Sequence, residues 1–222
     1  MQAFKASGAK EKILQRIRKA LEHKVQQPFA NIDNQSNIYA NNHQGLEMQF
    51  AQAFTELGGH FVYCENQKEL VDNLRNLIDE RGWKNLICWD EKMMNLFQEN
   101  NFQQIQNHKT IDKTEPSDAG ITGCEFLIAR TGTVTLSSRQ ESGRVLAIFP
   151  PHHIVVAYSN QLVGDMKDAI QQIKTKYPTQ LPSLINFETG PSRTADIEKT
   201  LVVGVHGPKE IFVFLVDENL EE

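Results

Sequence analysis

Cysteine is scarce in this chain of 222 residues: Cys64, Cys88 and Cys124 form an odd set without CxxC spacing. That count argues against a disulfide framework and against a zinc or iron–sulfur site built by this chain alone. No basic stripe with interleaved aromatics is present, and the formal charge of −5 comes from acids and bases mixed along the chain. Nucleic acid is therefore not an expected partner. No apolar run approaches the ~20 residues needed to cross a bilayer. The opening segment has no apolar core of the secretory-signal kind, so a soluble, cytoplasmic setting is expected. The common signatures of catalysis are missing too. There is no GxxxxGK[ST] loop, no GxGxxG between a strand and a helix, no HExxH and no GxSxG.

What is present is an apolar fraction of 40%, enough to fill a core without covalent staples. Ser7 is placed to cap a helix through "AKEKILQRIRKALEH", whose Ile13, Leu14, Ile17, Ala20 and Leu21 form one stripe. Residues 26–44, rich in Asn and Gln, read as an irregular connection. From residue 45 a rhythm sets in. "LEMQFAQAFTELGG" reads as a helix closed by glycines, "HFVYC" as a strand, and "NQKELVDNLRNLIDERG" as a helix ending at Gly82. "NLICWD" is an apolar strand that buries Cys88, and "EKMMNLFQENN" is helical again. Such alternation with Val/Ile/Leu-rich strands predicts a parallel or mixed sheet covered on both faces. The rhythm changes near residue 120, where "CEFLIARTGTVTLSS" predicts two strands joined at Thr131-Gly132. "HHIVVAYS" follows as a strand, "QLVGDMKDAIQQIKTKY" as a helix, then "SLINFE" and "EIFVFLVD" as strands. The expected organisation is a helical arm and connection over residues 1–44, continuous with one α/β domain over residues 45–222.

Three short segments carry side chains suited to chemistry. In "GITGCEFLIARTGT", Thr131, Gly132 and Thr133 suit either an anion-holding nest of backbone N–H groups or a plain hairpin turn. Cys124 follows the same glycines, and its thiol is expected to be structural. In "ESGRVLAIFPPHHIVV", Arg144 is expected at a strand end with its guanidinium outward, which suits bidentate capture of a carboxylate, or a surface ion pair with Glu141. There His153 is a candidate base or a hydrogen-bonded structural histidine. Neighbouring strand residues face opposite ways, so only one of His152 and His153 can serve a given pocket. In "GPSRTADIEKTLVVGVHGPKE", Pro191 ends the preceding strand. Ser192 or Thr194 is expected to cap a short helix carrying Asp196 and Glu198 in its first turn. Ser192 and Arg193 then make an anion site beyond a strand end, where open α/β sheets place ligands. His206 and Asp196 complete the set of candidate proton carriers.

The segments "GITGCEFLIARTGTVTL", "GRVLAIFPPHHIVV" and "GPSRTADIEKTLVVGVHGPKEIFVFLV" resemble the lactate-utilisation (LUD-domain) family. The N-terminal "ILQRIRKAL" is similar to that family's opening helix. The resemblance implies a three-layer α/β/α sandwich like the sugar-phosphate isomerase and CoA-transferase superfamily. It also implies a part in oxidising L-lactate to pyruvate with two partner proteins that carry iron–sulfur clusters, and it assigns no catalytic residue to this chain. One position departs from the pattern: Arg130 stands where the family often has an acid before the Thr-Gly turn.

On these grounds the first expectation is a non-redox component of a lactate-oxidising complex. Arg144 and Arg193, with Thr131, Gly132, Thr133 and Ser192, would bind a small anion, and no cofactor would be bound by this chain itself. His153, His206 or Asp196 would move a proton. Two alternatives stand beside it. One is an independent enzyme acting on a phosphorylated or CoA-linked molecule, with Glu125 or Asp196 as base. The other is a structural or regulatory subunit without chemistry.

Overall fold

Residues 8–22, 45–107, 117–197 and 200–217 are described by a computed structural model. Contacts divide the chain into Met1–Asn42 and His43–Glu222. Within the first unit, helix α1 (Gly8–Leu21) is described, and its apolar Ile13, Leu14, Ile17 and Leu21 are exposed. Ser7, its expected cap, and the connection at 26–44 lie outside the described residues.

The second unit is built on six parallel strands in the order β1 (His60–Cys64), β12 (Glu210–Val216), β7 (His152–Tyr158), β4 (Ala119–Thr122), β2 (Leu86–Cys88) and β3 (Ile105–Gln106). Strand alternation sorts their side chains between two cores. From β12, Phe212, Phe214 and Val216 enter one core, while Ile211, Val213 and Leu215 enter the other. The first core is covered by α3 (Gln67–Arg81) and α4 (Glu91–Glu99). Helix α3 begins where the side chain of Asn66 accepts from the Glu69 amide, and ends at Gly82 in the left-handed conformation. Its Leu70, Leu74 and Ile78 are buried at helical spacing, each contributing about 1.5–3 kcal/mol of apolar burial.

The α/β class with a parallel sheet is as expected. The layer on the opposite face holds more than the sequence suggested. Beside α2 (Leu46–Glu56) lies a second, four-stranded sheet in the order β8 (Leu162–Val163), β5 (Phe126–Ile128), β6 (Thr133–Ser137) and β9 (Ile185–Glu188). Helix α5 (Met166–Lys176) backs it through Ala169 and Ile173, which pack with Phe126, Ile128 and Val163. The expected hairpin of β5 and β6 is antiparallel, joined by a 3-10 turn at Ala129–Thr131.

Three local expectations are corrected. The helix read from Gln161 begins only at Met166, because Asp165 accepts from the Lys167 amide and Asp168 accepts from the Asp165 amide. The residues before this cap pair as β8 with β5. The helix expected after Ser192 is a hairpin of β10 (Arg193–Ile197) and β11 (Thr200–Val203). The β-branched run of Thr194, Ile197, Thr200, Val202 and Val203 favours extended backbone over the cap signal on which the helix reading rested. Arg144, expected at a strand end, lies within a series of turns between β6 and β7.

Candidate functional site

Parallel strands bring their C-terminal ends to one edge, and ligands of open α/β sheets bind there. Here β2, β4 and β7 end at a cleft of about 720 Å³. Asp90 follows β2, Gly123 and Cys124 follow β4, and Tyr158 closes β7. The turn after β6 supplies Arg139 and Glu141, α4 supplies Lys92 and Met93, and the end of α5 supplies Lys176 and Tyr177.

The acids of this cleft are already engaged. The Asp90 side chain accepts from the Met93 amide at 3.0 Å, capping α4. Glu141 accepts from the Glu91 amide at 2.9 Å, on the same helix end. Behind the wall sits Glu125, 1% exposed, which accepts from Ser137 Oγ at 2.5 Å, Lys176 Nζ at 2.8 Å and Tyr177 Oη at 2.9 Å. Burial alone would lower the pKa of Lys176, but the hydrogen bond and charge of Glu125 outweigh it and the net shift is upward. Burial, then Glu125, raises Tyr177 as well. Both therefore hold their protons. Glu125 works as an acceptor that fixes two donors on the cleft wall, which leaves it poorly placed to act as a base.

Tyr158 is the unmatched group. Its hydroxyl is buried, lies in a residue that lines the cleft, and has no hydrogen-bond partner among the described residues. Burial, helped by the charge of Asp90, pushes its pKa well above the usual phenol range, so it remains a donor. A buried hydroxyl without a partner costs ~1–3 kcal/mol. Cys124, also on the wall, is buried, and desolvation raises its thiol far above reactive range.

Apart from Cys124 and Glu125, the residues singled out in the sequence lie elsewhere, in several places. Thr131, Gly132 and Thr133 meet the C-terminal part of α2. Gly132 has φ of +57°, and a Cβ there would collide with the Phe54 backbone nitrogen, so α2 occupies the space beside the turn. The hydroxyls of Thr131 and Thr133 are 2.7 Å apart, and Thr133 also bonds Thr189 at 2.9 Å. Arg193 reaches the same helix end, donating to the Leu57 carbonyl. Ser192 ties the loop by donating its amide to Pro208 O and accepting from the Gly204 amide. The structure thus brings these residues together, with most of their polar groups spent on one another. The strand that precedes them, β9, belongs to the second sheet, pairing antiparallel with β6, so its end does not share the edge that carries the cleft.

Arg144 donates to Ser183 Oγ at 2.6 Å, and its expected partner Glu141 caps α4 instead. His153 is fully buried between the sheets, with Nε2 2.8 Å from Thr122 Oγ1 and Nδ1 2.9 Å from Glu188 Oε2. His152 projects to the opposite side, with Nε2 3.2 Å from Glu210. His206 is exposed in the turn before β12, and Asp196 lies on β10. Arg130, the position where an acid was expected, donates to Asp165 Oδ2 at 2.6 Å, so its charge is met by the cap of α5.

Lys92, Arg139, Tyr158, Lys176 and Tyr177 were missed by sequence reasoning. The strand-end rule, applied to "NLIC", "GIT" and "HHIVVAY" in place of "SLINFE", points to Asp90, Gly123 and Tyr158. The cations of the rim come from turns and helix ends that carry no motif.

Comparison with known proteins gives a consistent picture. The LUD domain matches residues 47–216. Lactate utilization protein C of Shouchella clausii is 35% identical over 161 residues, covering 68% of this chain and 70% of that protein. The protein of the same name from Halalkalibacterium halodurans is 31% identical over 173 residues, covering 71% and 75%. A crystal structure of a DUF162 family protein from Deinococcus radiodurans superposes with a TM-score of 0.59 at 20% identity, covering 77% of this chain and 96% of that one. At that identity the likeness concerns the fold alone.

Proposed function

The chain belongs to the LUD-domain family, and from that premise we propose that it works in lactate utilisation, holding an anionic ligand in the strand-end cleft. The names of its relatives support the process. The observation that carries ligand binding is the buried hydroxyl of Tyr158, without a partner among the described residues, at the C-terminal edge of a parallel sheet. A carboxylate set between Arg139 and Lys92 would take charge-assisted hydrogen bonds, and Tyr158 would donate to an oxygen of the same ligand.

Oxidising L-lactate to pyruvate removes two electrons and two protons, one proton from the hydroxyl-bearing carbon and one from its hydroxyl. The electrons need an acceptor, and in this reading iron–sulfur partner proteins supply it. This chain's Cys64, Cys88 and Cys124 are buried thiols with raised pKa values, which favours assigning clusters to other subunits. The role left to this chain is to bind and orient.

Tyr158→Phe separates this reading from a purely structural one. Removing an unsatisfied hydroxyl should leave stability unchanged or slightly raised. The same change should weaken L-lactate or pyruvate binding in calorimetry and slow growth on L-lactate when the variant replaces the wild-type gene. Normal growth on L-lactate after deletion of the whole gene would refute a role in the process. Unaltered binding by Tyr158→Phe would refute the site.

A further inference from the structure

The cleft is far larger than lactate. At the ~30 Å³ that one water occupies in the liquid, its 720 Å³ holds about two dozen waters. A three-carbon hydroxy acid fills one corner of such a space and leaves the rest wet. Clefts of ~300–1,000 Å³ ordinarily bury most of the surface of a drug-sized molecule.

Its charges and its floor are laid out for two different parts of one ligand. Lys92 on α4, Arg139 on the turn after β6 and Lys176 at the end of α5 reach the cleft from three elements. Among the described residues Arg139 donates to neutral oxygens, the carbonyl and side-chain oxygen of Gln180, and neither Arg139 nor Lys92 makes an ion pair. Lys176 is anchored by Glu125, and the remaining acids, Asp90 and Glu141, are turned to the amides of α4. Between these polar groups the apolar part of the lining is carried by the rings of Tyr158 and Tyr177 beside Gly123, since Met93, Cys124 and Val156 are buried. Gly123 leaves this area open. A Cβ built there would meet Met93 Cε at 3.5 Å, Gln140 Nε2 at 3.9 Å and Val156 O at 4.0 Å, all ordinary contacts. The backbone thus does not require glycine at this position.

Building on the reading that this cleft is the ligand site, we infer that it takes a nucleoside phosphate, with the phosphate among Lys92, Arg139 and Lys176 and the flat base against the rings of Tyr158 and Tyr177 at the floor beside Gly123. Lactate alone matches the charge of this cleft but not its size or its apolar area. A nucleoside phosphate matches all three.

Calorimetry on the full chain with AMP, ADP, ATP, coenzyme A, inorganic phosphate and L-lactate tests this. At least one nucleotide should bind about tenfold or more tighter than inorganic phosphate, since only the nucleotide uses the floor. Coenzyme A distinguishes a free nucleotide from one carried on a longer molecule. Arg139→Ala should weaken the nucleotide roughly 10- to 100-fold, the equivalent of a hydrogen bond to a charged group. Gly123→Leu, which fills the floor and leaves the cations in place, should also weaken it by about tenfold or more. If Gly123→Leu does not fold, Arg139→Ala and Lys92→Ala, both on exposed side chains, carry the test. Binding of L-lactate without any nucleotide overturns this inference and leaves the lactate reading standing. Nucleotide binding that ignores all three substitutions places the site elsewhere and overturns it. Equal affinity for nucleotide and inorganic phosphate refutes the size argument. Binding of nothing, lactate included, refutes both readings.

Discussion

Replacing Glu125 with Gln tests the wall of the cleft. Glu125 is buried with three donors on its carboxylate: Ser137, Lys176 and Tyr177. A hydrogen bond to a charged group contributes about 1.5–3 kcal/mol. The Lys176 side chain is 53% exposed, so its share is screened and falls to ~1 kcal/mol or less. Gln keeps one acceptor oxygen but turns an N–H₂ group toward donors that it cannot satisfy. The expected loss is about 3 kcal/mol at neutral pH, in line with removing one partner of a buried pair. For a domain of this size that lowers Tm by roughly 6–12 °C, which thermal and urea unfolding followed by circular dichroism would resolve. The sign of the pH dependence follows from the raised pKa values of Lys176 and Tyr177, whose ordinary values are 10.5 and 10.0. Their contribution is full below those values and is lost as pH rises through the higher folded-state values. The wild-type stability should therefore fall above about pH 10, and the gap to Glu125→Gln should narrow there. A loss under ~1 kcal/mol at pH 7, or a gap that stays constant into alkali, would refute the reasoning.

Gly132→Ala should be severely destabilising, because the left-handed backbone strains any side chain and the added Cβ meets the α2 backbone. The backbone share alone is about 1–3 kcal/mol, and urea unfolding should show a larger total. The three thiols should react negligibly with Ellman's reagent in the native state and fully in denaturant, since all are buried and desolvation pushes Cys88 up to about 12. Fast reaction of any one of them near neutral pH would contradict the burial of that residue.

Much of the second unit was legible in the sequence because its signals are local. Helix α3 carries both its cap, Asn66, and its terminator, Gly82, beside an apolar stripe. The strands "LIC" and "HIVVAY" are apolar on both faces, which reads as a buried parallel sheet whatever the order of the strands. The hairpin at residues 193–203 was misread for an equally local reason. Ser192 and Thr194 fit a helix cap, but the β-branched residues after them pair better than they coil. Chemically able residues in "TGT" and "GPSR" drew attention because they stand out in sequence. In space, Thr131, Thr133 and Arg193 spend much of their bonding on each other and on the end of α2.

By itself the sequence determined the α/β class, most of the helices and strands, and the family resemblance, because caps, turns and hydrophobic period act over a few neighbouring residues. Only the tertiary structure decided where the cleft lies and what lines it. Strand order placed the ends of β2, β4 and β7 on one edge, and it moved "SLINFE" to a second sheet away from that edge. Packing then used up the hydroxyls of the Thr-Gly-Thr turn and left the Tyr158 hydroxyl without a partner among the described residues. Whether a polar group is free to bind a ligand depends on every neighbour that reaches it, and for Tyr158 those neighbours come from segments far apart in the chain.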